Sequence, residues 1–327
     1  MTTIRGALRD VVFSPALIDV TFAKRGFPAE PSAATERLEA VPQSVICGFE
    51  WGIGARNQWE VERRLDMVDP ELRGFAYEGT TMAFTILDSM GRGHRTRDLL
   101  LGPGRPHIFL AYIGMGFAMA RLPRPVWKKV LPDLTGSEFH PIMSWLVVDG
   151  YGFDRAYFDT KRWVDAQYRP SPYPWDGAPD YFLRAVDQGI GRALWFICGA
   201  NVPHVAAAVG RFDSDRQADL WSGVGLAAAF AGGSDASGLA ELRRASGEYW
   251  TELALGVVFA LKARTYSGCV PPHTELAGSA LADLSAEAAV ALADGTRPNG
   301  TSQNGSGSDV PAYEVWRQNI RARLAAR

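Results

Sequence analysis

Carboxylates in strongly apolar stretches are the residues of this chain best suited to chemistry. Glu78 lies within Phe75-Ala-Tyr-Glu-Gly-Thr-Thr-Met-Ala-Phe84, Asp149 follows Trp145-Leu-Val-Val148, and Asp187 precedes Gln-Gly-Ile-Gly-Arg192. Glu275 stands two residues after His273. Apolar neighbours disfavour the ionised form, so such groups tend to have raised pKa values suited to general acid or base work. Asp149 and Asp187 are the leading candidates, with Glu78 and the His273/Glu275 pair behind them. Each carboxylate also has a structural alternative, as a helix cap or as the partner of an arginine such as Arg155 or Arg192, and the sequence leaves both readings open. The aromatic residues Tyr77, Tyr151, Phe153, Tyr157, Trp195, Phe196 and Trp221 admit a similar choice. They suit an apolar pocket for a polyunsaturated ligand, because flat rings stack on conjugated chains, and they equally suit a plain core. Arg192 joins them as a candidate binding cation. Lys262-Ala-Arg264 reads either as a cation pair ending a helix or as an anchor for a carboxylate or a phosphopantetheine arm.

Most strong catalytic signatures are missing from the sequence. It contains no G-x-S-x-G, no H-E-x-x-H, no P-loop and no aspartate-rich D-D-x-x-D cluster. Gly189-Ile-Gly191 is followed by Leu194 where a dinucleotide-binding loop would need glycine. The histidines at 94, 107, 140, 204 and 273 are spread singly, and Cys47, Cys198 and Cys269 form no C-x-x-C pair. No metal site is therefore expected, a cofactor is unknown, and a reducing compartment is favoured. A net charge of −2 gives no electrostatic case for nucleic acid. Trp127-Lys128-Lys129 and Lys161-Arg162-Trp163 read as solvated helix faces. The first ten residues lack the apolar core and small-residue cleavage site of a secretory signal, which points to the cytoplasm. The most apolar run, Ile108 to Ala120, is well short of the ~20 residues of a membrane span, so membrane contact is at most peripheral.

Those candidates must be held by helices. After Asp69-Pro70, a start signal, Leu72, Phe75, Gly79, Met82 and Ile86 alternate spacings of three and four, and Gly91-Arg-Gly93 closes the segment. A second helix is expected from about His107 to Arg121, stopped by Pro123 and Pro125. A similar order recurs later: Asp69 to Gly79 sits over Asp213 to Gly223 at an offset of 144, and Gly114 to Ala118 over Gly256 to Ala260 at 142. Trp250, Leu253, Ala254, Val257, Val258 and Leu261 form another apolar stripe. No segment alternates with period two. The predicted fold is mainly α, a helical core over 57–294 built from two diverged repeats, about 57–122 and 201–264. The glycine- and aromatic-rich segment from Asp149 to Phe196 joins the repeats, and a pocket is expected between the halves. Residues 1–56 read as an extended arm with one short helix, Ala33 to Glu39, for which Ser32 is a cap. Further helices are expected after Pro271-Pro272, at His273-Thr-Glu275, and after Ser285. Residues 295–309 read as a flexible linker, and 310–327 as a docking helix with Tyr313, Trp316 and Ile320 on one side and an arginine-rich end.

Taken together, Arg73-Gly-Phe-Ala-Tyr-Glu-Gly79, Asp149-Gly-Tyr-Gly-Phe153, Asp187 to Phe196, Asp219-Leu-Trp-Ser-Gly-Val-Gly225, Lys262-Ala-Arg264, Pro272-His-Thr-Glu275 and Ala312-Tyr-Glu-Val-Trp316 resemble the UnbL-type proteins. That bacterial family of unknown molecular function is encoded beside enediyne polyketide synthases, and the match skips only the linker. At position 154 the family pattern often has histidine, whereas this chain has Asp154, which removes an imidazole from any mechanism there. The resemblance implies a role in enediyne, and hence antibiotic, biosynthesis, between the linear polyene released by the synthase and the first acetylenic intermediate. The implied partners are that polyene, the synthase, its thioesterase and two companion proteins of the same gene cassette. It implies no reaction and no catalytic residue. A polyene-tailoring enzyme and a non-catalytic polyene carrier both fit.

Overall fold

The computed structural model describes residues 17–28, 30–298 and 310–327, and every regular element among them is a helix. The fold is mainly α, as the spacing of apolar residues predicts. Contacts divide the chain into two compact units, Met1–Phe27 with Glu39–Tyr151, and Pro28–Leu38 with Gly152–Arg327. The second division thus falls inside the Asp149 to Phe158 cluster. Residues 1–16 of the expected arm and 299–309 of the expected linker lie outside the described residues.

The first unit holds most of α1 (Ala33–Gly54), α2 (Gln58–Leu65), α3 (Pro70–Met90), α4 (Arg95–Leu101), α5 (Ile108–Arg121) and the start of α6 (Trp145–Phe158). Local signals set several ends. Asn57 Oδ1 accepts from Glu60 N, and Asp69 Oδ1 accepts from Glu71 N with Pro70 in the first turn. α1 corrects the expectation of a short helix in an extended arm. It runs 22 residues, through Pro42 and through the Cys47 to Gly54 stretch that shows no clear period. Packing explains its length: Val41, Val45, Phe49 and Ile53 recur every four residues and are buried, while Gly48 and Gly52 lie on α3 at Ala76 and Ala83. Burial of such a stripe outweighs the lost proline hydrogen bond.

The second unit holds the rest of α6, then α7 (Pro179–Ile197), α8 (Val202–Gly210), α9 (Ser214–Ala231), α10 (Ala236–Ala245), α11 (Trp250–Tyr266), α12 (Pro272–Ala277), α13 (Ala286–Thr296) and α14 (Ala312–Ala325). α9 packs between α7 and α11. Ser285 Oγ accepts from Ala288 N, capping α13 as expected. Tyr313, Trp316 and Ile320 of α14 are buried, so that helix docks as its apolar side predicts.

Close glycine crossings set the helix spacing within each unit. Gly114 of α5 lies on the Glu78 backbone of α3, and Gly116, two residues on, lies on Val147 of α6. Residues two apart on a helix point about 200° apart, so a G-x-G serves opposite neighbours. α9 repeats the device in the second unit, with Gly223 on Gln188 of α7 and Gly225 on Leu253 of α11. Gly79 and Gly150 lie at such crossings in the first unit as well, as do Gly191 and Gly256 in the second. A duplication of 57–122 and 201–264 is not shown.

Candidate functional site

In the first unit, α5 stands between two of the candidate carboxylates. A Cβ on Gly114 would overlap the backbone of Glu78, and a Cβ on Gly150 would overlap that of Ile113. Glu78 on α3 and Asp149, the residue before Gly150 on α6, are thereby held at one level on either side of Ile113-Gly114. Both are buried, at 3% and 0% exposure. The sequence singles out each but gives no sign that they share a helix between them. Phe75 and Met82 of α3, Phe117 of α5, and Leu146 and Val147 of α6 are buried as well.

Tyr77 precedes Glu78 and is buried. Its ring stacks on His107 with centroids 4.6 Å apart. Burial, then the nearby carboxylates of Asp66 and Glu62, pushes its phenol up to about 12, so it stays a neutral hydrogen-bonding group. Tyr151 is buried with its ring edge-on to Trp127 at 5.1 Å.

In the second unit, Asp187 is held by Arg216, which the sequence reading did not consider. Arg216 Nε donates to both carboxylate oxygens at 3.1 Å, and its Nη1 donates to the Gln167 carbonyl at 3.0 Å. Burial pushes the Asp187 carboxyl up to about 6, against the opposing pull of these hydrogen bonds. The carboxylate therefore remains mostly ionised and paired at neutral pH, as the ion-pair alternative had it.

Arg192 places its guanidinium 4.9 Å from the Phe153 ring centre, and Phe153 stacks on Tyr157 and meets Phe196 edge-on. Trp195 is fully buried and donates from Nε1 to the Gly232 carbonyl at 2.8 Å. The ring of half-buried His273 also rests on Gly232, and its Nε2 is 3.3 Å from the Phe230 carbonyl. Arg37 Nη1 stands 3.3 Å from His273 Nδ1. Trp195 and His273 are thus brought together at Gly232. Glu275 goes elsewhere: it is exposed, and its Oε2 accepts from Ala286 N at the start of α13. Trp221 is buried on α9. Lys262 Nζ lies 2.6 Å from Asp294 Oδ1, and Arg264 donates to the Phe230 carbonyl at 2.6 Å.

A buried charge cluster escaped the sequence reading. Arg317, at 0% exposure, places Nη1 2.8 Å from Asp219 Oδ1, 3.1 Å from Glu314 Oε2 and 2.7 Å from the Tyr181 hydroxyl. Arg184 donates to Asp219 from Nε at 2.8 Å, and Arg321 reaches Glu314 Oε1 at 2.8 Å. Burial pushes the Glu314 carboxyl up, but Arg317, Arg184 and Arg321 outweigh it and hold the group at about 2. A carboxylate so held does not exchange protons near neutrality, so the cluster fastens α14. The one available signal was the Glu314/Arg317 spacing of three within the predicted helix.

Among the described residues, no group of three or more His, Cys, Asp or Glu side chains could hold a metal ion, and no single helix is long and apolar enough to cross a membrane. A pair bent by 64°, Pro272–Ala282 with Ala286–Thr296, passes that test by length and composition, but Leu281, Ala282, Ala289 and Ala293 are buried inside the second unit. No curated protein and no solved structure matches the chain. Residues 4–324, almost the whole sequence, match the family described as a protein of unknown function, DUF1702, and the chain belongs to that family.

Proposed function

We propose that this chain works in assembly of an enediyne core, on the linear polyene released by an iterative polyketide synthase, and that Glu78 and Asp149 are its proton-transfer groups. The pathway rests on the seven motifs that resemble the UnbL-type proteins. The chemistry rests on one observation, the two buried carboxylates on either side of Ile113-Gly114 of α5. Turning –CH=CH– into –C≡C– removes two protons and two electrons. Carboxylates take up protons and cannot take up electrons, so the electrons pass to a two-electron acceptor supplied with the companion proteins. On this reading the chain binds and orients the polyene and moves protons at Glu78 and Asp149. Tyr77, beside Glu78 and neutral at all ordinary pH, contributes an aromatic wall.

A second reading, a carrier that shields the polyene and hands it on, draws on the second unit. There Asp187 and Lys262 are engaged by Arg216 and Asp294, and Trp195 is tied to Gly232.

A producing strain that lacks the gene and is complemented in turn with wild type, Glu78→Gln and Asp149→Asn separates the readings, with metabolites followed by mass spectrometry. The enzyme reading expects the deletion and both folded variants to accumulate polyene. A carrier tolerates both amides and fails only when Trp195 or Trp221 is truncated. Normal product in the deletion strain rejects the pathway itself.

A further inference from the structure

The first unit carries an exposed basic edge that the candidate site does not use. Residues 91–133 hold eight lysines and arginines against two acids, Asp98 and Asp133, in a chain whose net charge is −2. Two parts of that stretch lie side by side: Gly93, His94 and Arg97 around the start of α4 share the walls of one cleft with Lys129, Val130 and Asp133. Arg92, Arg95 and Arg97 are therefore grouped with Lys128 and Lys129, and all five are exposed. Arg97 and Lys129 share the cleft with Asp133, which stays ionised because hydrogen bonds from Thr135 hold its carboxyl below the usual range. Arg92, Arg95 and Lys128 form no ion pair and no side-chain hydrogen bond among the described residues. Apolar side chains stand beside these cations. Met90 ends α3 at 59% exposure, and Leu101 ends α4 at 45%. The two helices are tied together there by Asp88, whose Oδ2 accepts from Thr96 N at 2.8 Å and from Thr96 Oγ1 at 2.9 Å.

We infer that this edge of the first unit docks on an anionic lipid surface, with Arg92, Arg95 and Lys128 toward lipid phosphates and Met90 and Leu101 entering the boundary of headgroups and acyl chains. Long basic side chains reach phosphates while their stems cover apolar surface, so the mixture suits a bilayer interface. Single-stranded nucleic acid stacks its bases on exposed rings, and neither Met90 nor Leu101 supplies one. An acidic protein needs an apolar centre to its interface, which two single side chains do not make. The contact is peripheral, is separate from Glu78 and Asp149, and does not depend on the polyene reading.

Sedimentation of the full-length protein with vesicles tests it, using phosphatidylcholine alone and phosphatidylcholine mixed with phosphatidylglycerol. Wild type is expected to sediment with the mixed vesicles only, and to be released by added salt as the charges are screened. The triple variant Arg92→Gln, Arg95→Gln, Lys128→Gln, which breaks no contact of the fold, is expected to lose about twentyfold or more in vesicle affinity. A control that removes two exposed cations of the second unit, Arg244→Gln with Arg323→Gln, is expected to bind as wild type does. Met90→Ser with Leu101→Ser leaves the charge intact and is expected to weaken vesicle binding about fivefold or more. Wild type that stays in solution with the mixed vesicles overturns the inference, as does a triple variant no weaker than the control. Vesicle binding unchanged by the two serines, or binding to soluble polyglutamate without binding to vesicles, would mark a general polyanion surface and also overturns it.

Discussion

A buried carboxylate stays ionised where a cation shares its pocket. Asp187 has Arg216 on both oxygens, and Glu314 has three arginines, so both are held as ions. Removing one partner of such a pair strands a charge in the interior, which costs about 3–5 kcal/mol. Arg216→Ala should therefore lower the urea midpoint steeply, whereas Asp187→Asn, which keeps an acceptor for the guanidinium, should cost less; equal midpoints would remove Arg216 from that role. Glu314 gives a pH test. Its carboxyl is held at about 2 in the folded chain against an ordinary 4.5, so the folded state binds fewer protons than the unfolded one across that window. Its stabilisation is fully present above 4.5 and is lost as the pH falls through about 2, a contribution of up to ~3 kcal/mol. Urea melts across that range should show Glu314→Gln with a flatter acid limb than wild type. At this scale the sequence was partly legible. It showed that Asp187 sits in apolar company, but its partner lies 29 residues away on another helix and no local pattern names it.

Helix ends were legible because they are set by neighbours in the chain, as at Asp69 and Ser285. Helix crossings were not, because a glycine looks the same in sequence whether it lies on a neighbouring backbone or faces open space. Gly223 and Gly210 make the contrast. A Cβ on Gly223 would overlap the Gln188 carbonyl and stand 2.6 Å from Arg192 N, whereas nothing lies within 4 Å of one on Gly210. Gly223→Ala must push α7 and α9 apart and is expected to cost about 3 kcal/mol or more. Gly210→Ala should instead stabilise by roughly 0.5–1 kcal/mol through helix propensity. Thermal melts of the two variants check this, and shifts of the same sign would contradict the crossing geometry. α1 shows the same limit from the other side. Pro42 argues for a break, yet the stripe through Val45, Phe49 and Ile53 continues the helix on α3.

On the scale of the molecule, the all-helical fold followed from periodicity, while the division at Tyr151 and Gly152 and the fastening of α14 depend on contacts between distant residues. Deleting Val310–Arg327 removes the buried Tyr313, Trp316 and Ile320, each contributing about 1.5–3 kcal/mol by burial, and strips Asp219 of Arg317. Such a truncation is expected to lose its near-ultraviolet circular dichroism and to bind a hydrophobic dye; a native spectrum would show that α14 is dispensable. The candidate site was half legible. Glu78 and Asp149 stand out by their apolar company, but only the fold brings them to the same level of α5. The central claim is that this pair moves protons on the polyene, and its most direct test is reconstitution. Lysate of the deletion strain, which supplies the partner proteins, is mixed with purified wild type, Glu78→Gln or Asp149→Asn, and polyene consumption is followed by mass spectrometry. The account predicts that wild type restores consumption and that each folded amide variant loses at least a hundredfold in rate. Wild-type rates from both variants would contradict it.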